Sequence, residues 1–431
     1  RRRVQGIFFG WWIVLSACVI QALNQGLLGQ GFTVYFLPLQ AEFGWSRTLL
    51  SAGYSLSHVE SGVLGPFEGW FADRFGPRRV VLIGVVLLGA GFILLSMTHS
   101  IGAFFVAFLV MSAGSSLCGF LPLSVAVLNW FVRKRSLALG IAMAGAGIGG
   151  VIVTLVAWSV TTQGWRTTAL ASGFALWLIG IPISLLLRHK PEKYGHLPDG
   201  DSPASPEGRQ ENLVASSALQ STVQDDGSFS TMEALKTRTF WLIAVAQASA
   251  VLTVSAVSLH LAPHLVQQLG ISLKAAGSVV ALLMIVSTVG RVVGGFLADR
   301  TNKRVLLVVS MLSHTIGLLM LAYATSMLQV FLFTIFHGMG WGARAPTQNA
   351  IRAEYFGRKS IGLILGLGSV IVTIASIIAP IFAGWLTDLR GDYRLAFTIL
   401  AIFTAFGSLG FALAGKPVRK SHVAGEGAVV H

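Results

Sequence analysis

The chain has 431 residues, of which 54% are hydrophobic and only 11% are charged, and its mean hydropathy is +0.73. Soluble domains average about 25% charged residues, so this composition excludes a soluble globular protein and requires a lipid bilayer as solvent. The formal net charge is +14, and its meaning depends on where the basic residues lie.

Twelve apolar stretches predict twelve membrane-spanning helices. Each stretch is near or above the ~20 residues that cross ~30 Å of hydrocarbon as a helix. A long polar segment separates the first six from the last six. The predicted spans are 11–39, 49–70, 80–97, 103–128, 137–160, 168–187, 240–265, 275–297, 305–324, 328–350, 362–386 and 395–414.

The basic residues are concentrated on one side of these spans. Of the 31 Lys and Arg residues, 24 fall in the tails and loops on the side of both termini, five fall in the opposite loops and two lie within spans. The positive-inside rule therefore predicts cytoplasmic termini in a multi-pass protein of the cell membrane. The excess predicts contact with anionic lipid head groups, and it argues against a nucleic-acid partner.

The two groups of six spans repeat one plan. Asp73 and Asp299 are 226 positions apart, and Pro38 and Pro263 are 225 apart. Such a duplication predicts two homologous halves with a binding site at their interface near the bilayer midplane. The predicted boundaries are 1–190 for the N-terminal six-helix bundle, 191–236 for a flexible cytoplasmic linker, 237–416 for the C-terminal bundle and 417–431 for a cytoplasmic tail.

The loop after the second span of each half carries a repeated acidic and basic motif. The first copy reads GWFADRFGPRR from position 69, and the second reads GFLADRTNKR from position 295. Paired charges between consecutive spans suit a cytoplasmic latch that breaks and re-forms as the halves rock, and the alternative is static loop electrostatics. The predicted latch residues are Gly69, Asp73, Arg74, Gly76, Arg78, Asp299, Arg300 and Arg304.

These loops resemble the signature of the major facilitator superfamily. Three further segments resemble its monocarboxylate and oxalate/formate porter branch: GWW at 10–12, WFVRKRSLALGIAMAG at 130–145 and YFGRK at 355–359. The resemblance implies an all-α membrane protein of two pseudo-symmetric six-helix bundles. It also implies proton-coupled, exchange or facilitated transport by alternating access. We expect a small organic anion as substrate, a functional monomer, and no cofactor or metal.

Arg291 is the first candidate for the substrate site. It precedes Asp299 by eight residues, so about 12 Å of helix separates it from the basic loop. A charge at this depth is costly unless it meets a partner or a water-filled cavity. A guanidinium can bind a carboxylate through two parallel hydrogen bonds. The related porters also carry an Arg-x-x-x-Gly pattern here, which Arg291 and Gly295 reproduce. The alternative is a structural ion pair.

Arg344 is the second deep cation, and it lies ten residues before Glu354. It is a candidate for a second contact to substrate, or for a partner of an acid or of the carbonyls freed by Pro346. Glu60 and Glu68 are the acids within the predicted spans. Glu60 is the deeper of the two and is a candidate for carrying a coupled proton, with a permanent salt bridge as the alternative.

Three further residues are candidates for lining the same site. His260 precedes Pro263, where a kink opens backbone groups, and a histidine there suits substrate hydrogen bonding or proton relay. A structural histidine is the alternative. Gln30 in the first span and Trp341 in the tenth are the others, and packing is the competing interpretation for both.

The pattern departs from the branch at defined positions. Animal monocarboxylate transporters carry a Lys where Gln30 stands and an Asp where Ser287 stands, and the oxalate antiporters carry a Lys in the eleventh span, where residues 361–386 have none. The anion and its coupling are therefore open. A drug or metabolite efflux antiporter and a non-transporting sensor of the same fold are alternatives. We expect no enzyme, because no HExxH or GxSxG motif occurs.

Overall fold

The computed structural model describes residues 8–56, 71, 74–131, 134–189, 191–194, 229, 231–356 and 361–417. Within these ranges the chain is helical and has no strand, which confirms the all-α class. The long helices are α1 Phe9–Phe43, α2 over residues 47–56, α3 Pro77–Ser96, α4 Ile101–Trp130, α5 Arg135–Gln163, α6 Trp165–Leu186, α7 Arg238–Leu269, α8 Leu273–Arg300, α9 Lys303–Ala322, α10 Met327–Phe356, α11 Ile361–Arg390 and α12 Arg394–Leu413.

Each predicted span corresponds to one of these helices. Among the described residues, ten helices are long and apolar enough to cross a membrane. The remaining two are α2, described only over its first ten residues, and α10, whose second half contains Arg344, Arg352 and Glu354. Most helices extend beyond their predicted ends, so Glu42 lies within α1, Asp299 within α8, Glu354 within α10 and Asp388 within α11. The acids within the helices are therefore more numerous than the sequence prediction held.

The duplication is visible in the turns that follow α1 and α7. Gly44 and Gly270, 226 positions apart, end these helices with φ values of +65° and +64°. Glycine adopts this left-handed conformation without steric penalty. Two residues after each glycine, a serine caps the next helix. The Ser46 hydroxyl accepts from the backbone N–H of Leu49 at the start of α2, and the Ser272 hydroxyl accepts from that of Ala275 at the start of α8. The same local chemistry therefore builds both hairpins.

The halves differ in the regularity of their helices. α1 contains a π-helical turn, Gln25–Gly29, and α6 contains another, Leu176–Gly180. α4 is interrupted between Leu117 and Phe120. Single π-helical turns are frequent at functional sites. The turn in α1 lies immediately before Gln30, on the segment that faces the other half.

The halves meet through closely packed small residues on α5 and α8. A Cβ added at Gly147 would overlap the Thr288 hydroxyl, one at Gly150 would lie 2.8 Å from Ala281 Cα, and one at Gly277 would lie 2.7 Å from Ala157 Cβ. Small residues let helix backbones approach this closely in lipid. The glycines of α5 therefore let this helix contact the facing side of α8 closely.

α5 and α8 separate towards the start of α5 and the end of α8. Gly140 lies seven residues before Gly147 on α5, and Gly295 lies seven after Thr288 on α8, so both continue the contacting faces. A Cβ at either glycine would meet no atom of the described residues within 4 Å. We call the side where α1 begins and α12 ends the basic side. Among the described residues the halves are in contact on the opposite side, and α5 and α8 separate towards the basic side.

The end of the predicted linker is packed against the C-terminal half. The backbone N–H of Phe229 donates to the Phe356 carbonyl at 3.0 Å, and the two rings meet edge to face. The short helix Thr231–Leu235 follows and buries Ala234 in the same apolar cluster. This part of 191–236 is therefore ordered against α10, because an aromatic side chain in it finds an apolar surface to cover.

Candidate functional site

Arg291 lies on the face of α8 that contacts α5, beyond the last close contact. Successive positions on one face of a helix are separated by three, four or seven residues. On α8 this spacing places positions 277, 281, 288, 291 and 295 on the same face. The first three touch α5, and the fifth, Gly295, borders open space. Arg291 is half-buried, and within the described part of the chain it has no ion pair or hydrogen bond. Its guanidinium is therefore a charge in the gap between the halves.

α10 supports α8 at this depth. A Cβ at Gly342 would lie 2.6 Å from the backbone nitrogen of Arg291, and one at Gly290 would lie 2.9 Å from the Met339 carbonyl. The backbones of α8 and α10 are therefore in contact on either side of Arg291. This contact fixes the position of the Arg291 backbone. Trp341, one residue before Gly342, is half-buried, so part of its ring is accessible next to this contact.

Arg344 starts at the same depth as Arg291 but points elsewhere. It lies two residues after Gly342, which is about 200° around the helix and therefore away from α8. Its side chain is 5% exposed, and its Nη1 donates to Gln348 Oε1 at 3.1 Å. Arg344 belongs to the interior of the C-terminal half in this conformation, and the structure does not bring it to Arg291.

Gln30 and Thr33 connect the halves on the closed side. Gln30 is 6% exposed, and its amide donates to the Ser258 hydroxyl at 3.0 Å. The Thr33 hydroxyl donates to the Leu259 carbonyl at 2.7 Å. Both contacts join α1 to α7. Gln30 is therefore occupied as a closing contact in this conformation.

His260 is fully buried beside these contacts. Its Nε2 lies 2.9 Å from the Pro380 carbonyl and 3.2 Å from the Ser51 hydroxyl, and its Nδ1 lies 3.1 Å from the Tyr393 hydroxyl. The ring joins α7 to α11 and α12 in its own half and to α2 in the other. Both ring nitrogens have partners, so His260 is a closing contact here and does not face the gap around Arg291.

A polar clasp closes the same side, formed by Arg47, Thr48, Gln267 and Asp388. The carboxylate of Asp388 on α11 accepts from the backbone N–H groups of Arg47 and Thr48 at 3.1 and 3.0 Å and from the Thr48 hydroxyl at 2.8 Å. Asp388 thus caps the N-terminus of α2 from the other half. The Arg47 guanidinium lies 3.4 Å from Asp388 and donates to Gln267 at 3.1 Å. The negative charge lies at the positive end of α2, where it is favoured.

Several predicted residues lie outside the described residues. They are Glu60, Gly69 and Asp73, and of Asp299 only the backbone is described. The other latch residues lie at helix ends on the basic side, where Arg74, Arg78 and Arg300 are exposed and Gly76 begins α3 with φ +82°. Arg300 covers the ring of Phe296 at 3.9 Å. Arg304 lines a surface cavity of about 330 Å³ that also holds Lys303 and Glu354, which pair at 2.9 Å.

Three features of the structure went unpredicted. The clasp acid Asp388 was placed beyond the predicted end of its span. Arg352 was assigned to a loop on the basic side, yet it lies inside α10 and is 6% exposed. His314 and His337 meet inside the C-terminal half with Nδ1 atoms 3.2 Å apart. Spacings of seven and eight residues, each about two helical turns, place His337, Arg344 and Arg352 on one face of α10, and this was the available signal.

Comparison with known proteins agrees with this architecture. The family model described as Major Facilitator Superfamily matches residues 14–324 and 243–429. The chain belongs to the major facilitator superfamily. A bacterial homologue of the human lysosomal transporter Spinster, solved in an inward-facing and occupied conformation, superimposes with a TM-score of 0.71 at 15% identity, over 94% of this chain and 96% of that one. The fold is therefore the major facilitator fold.

Relatives within the superfamily include monocarboxylate transporters. Monocarboxylate transporter 12 of Mus musculus is 26% identical over 435 residues, which cover 96% of this chain and 88% of the relative. The MFS-type transporter YcxA of Bacillus subtilis (strain 168) is 21% identical over 412 residues, 92% of this chain and 93% of the relative. The resemblance to the monocarboxylate branch is confirmed, and the protein is a multi-pass membrane transporter.

Proposed function

We propose that this transporter carries a small organic anion, a monocarboxylate, by secondary active transport, and that Arg291 binds its carboxylate. The observation that supports this is an unpaired, half-buried guanidinium on the face of α8 where α5 and α8 separate. A carboxylate accepts two parallel hydrogen bonds from such a group. Trp341, partly accessible beside it, offers an apolar surface for the remainder of the acid.

The contacts between the halves support alternating access as the mechanism. The clasp, His260 and Gln30 close one side, while Arg291 faces the gap that opens towards the basic side. Transport requires the clasp to release and the basic ends of α5 and α8 to approach each other, which exposes Arg291 to the other compartment. The described latch residues, such as Arg74 and Arg300, lie at the end of the halves that has to close.

The positive-inside rule assigns the basic side to the cytoplasm. We therefore propose cytoplasmic termini, location in the cell membrane, and an inward-open state for the structure described here. We keep the boundaries 1–190, 191–236, 237–416 and 417–431 for the two bundles, the linker and the tail. A proton is the proposed coupling ion, with Glu60 as its candidate carrier.

Uptake by purified protein in proteoliposomes tests the substrate assignment. A panel of radiolabelled mono- and dicarboxylates, with and without an imposed pH gradient, reports the substrate class and the coupling together. Arg291→Ala removes both hydrogen bonds to the carboxylate, at a cost of about 3 kcal/mol, so we expect kcat/KM to fall about 100-fold or more. Arg291→Lys keeps the charge without the planar pair of donors and should restore only part of the activity.

Arg394→Ala is the matched control, because this exposed arginine begins α12 on the closed side and has no place in the site. It should leave uptake unchanged. Wild-type rates in Arg291→Ala, with an unchanged elution profile in detergent, would contradict the proposed site. Saturable carboxylate binding without uptake would show a sensor, and transport confined to cationic drugs would show an efflux antiporter.

A further inference from the structure

A second cluster of cationic and polar side chains lies inside the C-terminal half, apart from Arg291. Arg344, Gln348 and Arg352 recur along one face of α10 and are 5%, 2% and 6% exposed. The Arg352 guanidinium donates to Gln247 Oε1 of α7. We call these four residues the arginine cluster. The pair His314 and His337 lies next to it, towards the closed side.

The polar atoms of this region are incompletely paired. Arg344 Nε and Gln348 Nε2 are buried and have no hydrogen-bond partner among the described residues. The Gln348 amide is oriented by its oxygen, which accepts from Arg344, so its NH₂ group is the unpaired end. The Nε2 atoms of His314 and His337 are also buried and unpaired. Because their Nδ1 atoms face each other, one ring must donate and the other accept, which leaves one unpaired Nε2–H donor.

The charge of the cluster is equally uncompensated. Arg344 and Arg352 are two buried cations, and within the described side chains neither contacts a carboxylate. The described acids nearest in sequence are used elsewhere, since Glu354 pairs with Lys303 at the basic surface and Asp388 belongs to the clasp. A buried charge without a counter-charge is strongly unfavourable, and so is a buried donor without an acceptor.

We propose that the arginine cluster is an anion-binding site distinct from the transport site at Arg291. Its ligand is a small monovalent anion that accepts hydrogen bonds from Arg344 Nε and Gln348 Nε2, either chloride or a short carboxylate. The bound anion supplies the missing counter-charge beside the direct Arg352–Gln247 hydrogen bond that joins α10 to α7. It is therefore a structural ligand of the C-terminal half, and its binding does not depend on substrate at Arg291.

The thermal stability of the purified full-length protein tests this site. Sodium chloride or sodium acetate is titrated against the sodium salt of a bulky sulfonate at constant ionic strength, and Tm is read from tryptophan fluorescence. We expect a saturable rise of a few degrees in the wild type. Gln348→Glu places a fixed carboxylate beside Arg344, so it should raise Tm without added anion and abolish the anion-dependent rise.

Two controls define the origin of the effect. Asn349→Asp makes the same amide-to-acid change at the next, exposed position of α10 and should keep the anion-dependent rise. Arg291→Ala should also keep it, whereas its loss there would place the anion at the transport site and overturn the proposal. A rise that persists in Gln348→Glu would overturn it as well.

Direct binding keeps the proposal testable without any substitution in the cluster. Radiolabelled chloride and radiolabelled acetate are added separately to immobilised Arg291→Ala protein in a scintillation-proximity assay. Saturable binding of one ion per protein supports the site, and the ion that binds identifies the source as inorganic salt or a carboxylate. Absence of saturable binding of both ions would overturn the proposal, whatever the behaviour of Arg291 in transport.

Discussion

Removal of the Asp388 carboxylate should shift the protein towards a state that is open on the clasp side. In Asp388→Ala, the N-terminus of α2 keeps the Ser46 cap but loses the carboxylate that accepts from its first two backbone N–H groups, and Arg47 loses its ionic partner. An N-cap of this kind contributes about 1 kcal/mol. The ion pair, whose side chains are 16% and 24% exposed, contributes about 0.5 to 1 kcal/mol. The sum is about 1.5 to 2 kcal/mol, which is about a 10- to 30-fold change in the ratio of open to closed molecules.

Double electron–electron resonance measures this ratio. Spin labels at Thr162 on α5 and Lys274 on α8 are on exposed positions of the clasp side in opposite halves, with Cys18 and Cys118 replaced by alanine. We expect Asp388→Ala to add a population at longer distance. Asp388→Asn should show a smaller shift of a few fold, because asparagine caps helices as well as aspartate but carries no charge.

Asp392→Ala is the control for this experiment. Asp392 accepts a hydrogen bond from the backbone N–H of Arg394 at 3.0 Å, within its own half. Its loss should leave the distance distribution unchanged. An unchanged distribution in Asp388→Ala, or an equal change in Asp392→Ala, would refute the assignment of the clasp.

Two further predictions concern packing and the closing contacts. Gly145→Val should prevent α1 and α5 from packing, because a Cβ at Gly145 would overlap the Cys18 carbonyl. Size-exclusion chromatography should then show aggregation. The control Gly140→Val, at a position with open space around it, should elute normally. His260→Phe leaves the Pro380 carbonyl without its donor and should lower stability by about 1 to 3 kcal/mol, seen as a lower Tm. A large rise in KM at unchanged Tm would instead make His260 a substrate ligand.

The helices and their duplication could be predicted because they depend on local chemistry. The apolar stretches are long enough to span a bilayer. Inside the bilayer there is no water to bind backbone groups, and a helix pairs them all within one segment. The repeated Gly and Ser of the turns act within a few residues, so Gly44 and Gly270 adopt the same backbone conformation in both halves. The predicted ends were less accurate, because α1 and α11 continue through polar residues at the membrane surface.

The depth of Arg291 could also be predicted, since it follows from counting residues along one helix. Its direction could not, because the rotation of α8 depends on the small residues that α5 presents to it. For the same reason, the sequence could not show that Arg291 and Arg344 point in different directions. Both were predicted as deep cations for one cavity, yet the packing of α10 turns Arg344 into the C-terminal half.

What the amino-acid order determined by itself is therefore the bilayer as solvent, the twelve helices, the repeated halves and a cation well inside one of the helices. Only the tertiary structure decided which polar groups meet. Asp388 caps a helix that begins 341 positions earlier in the chain, and His260 reaches three other helices. Such partners depend on the rotation and spacing of packed helices, and these are set by side-chain volume at many contacts at once.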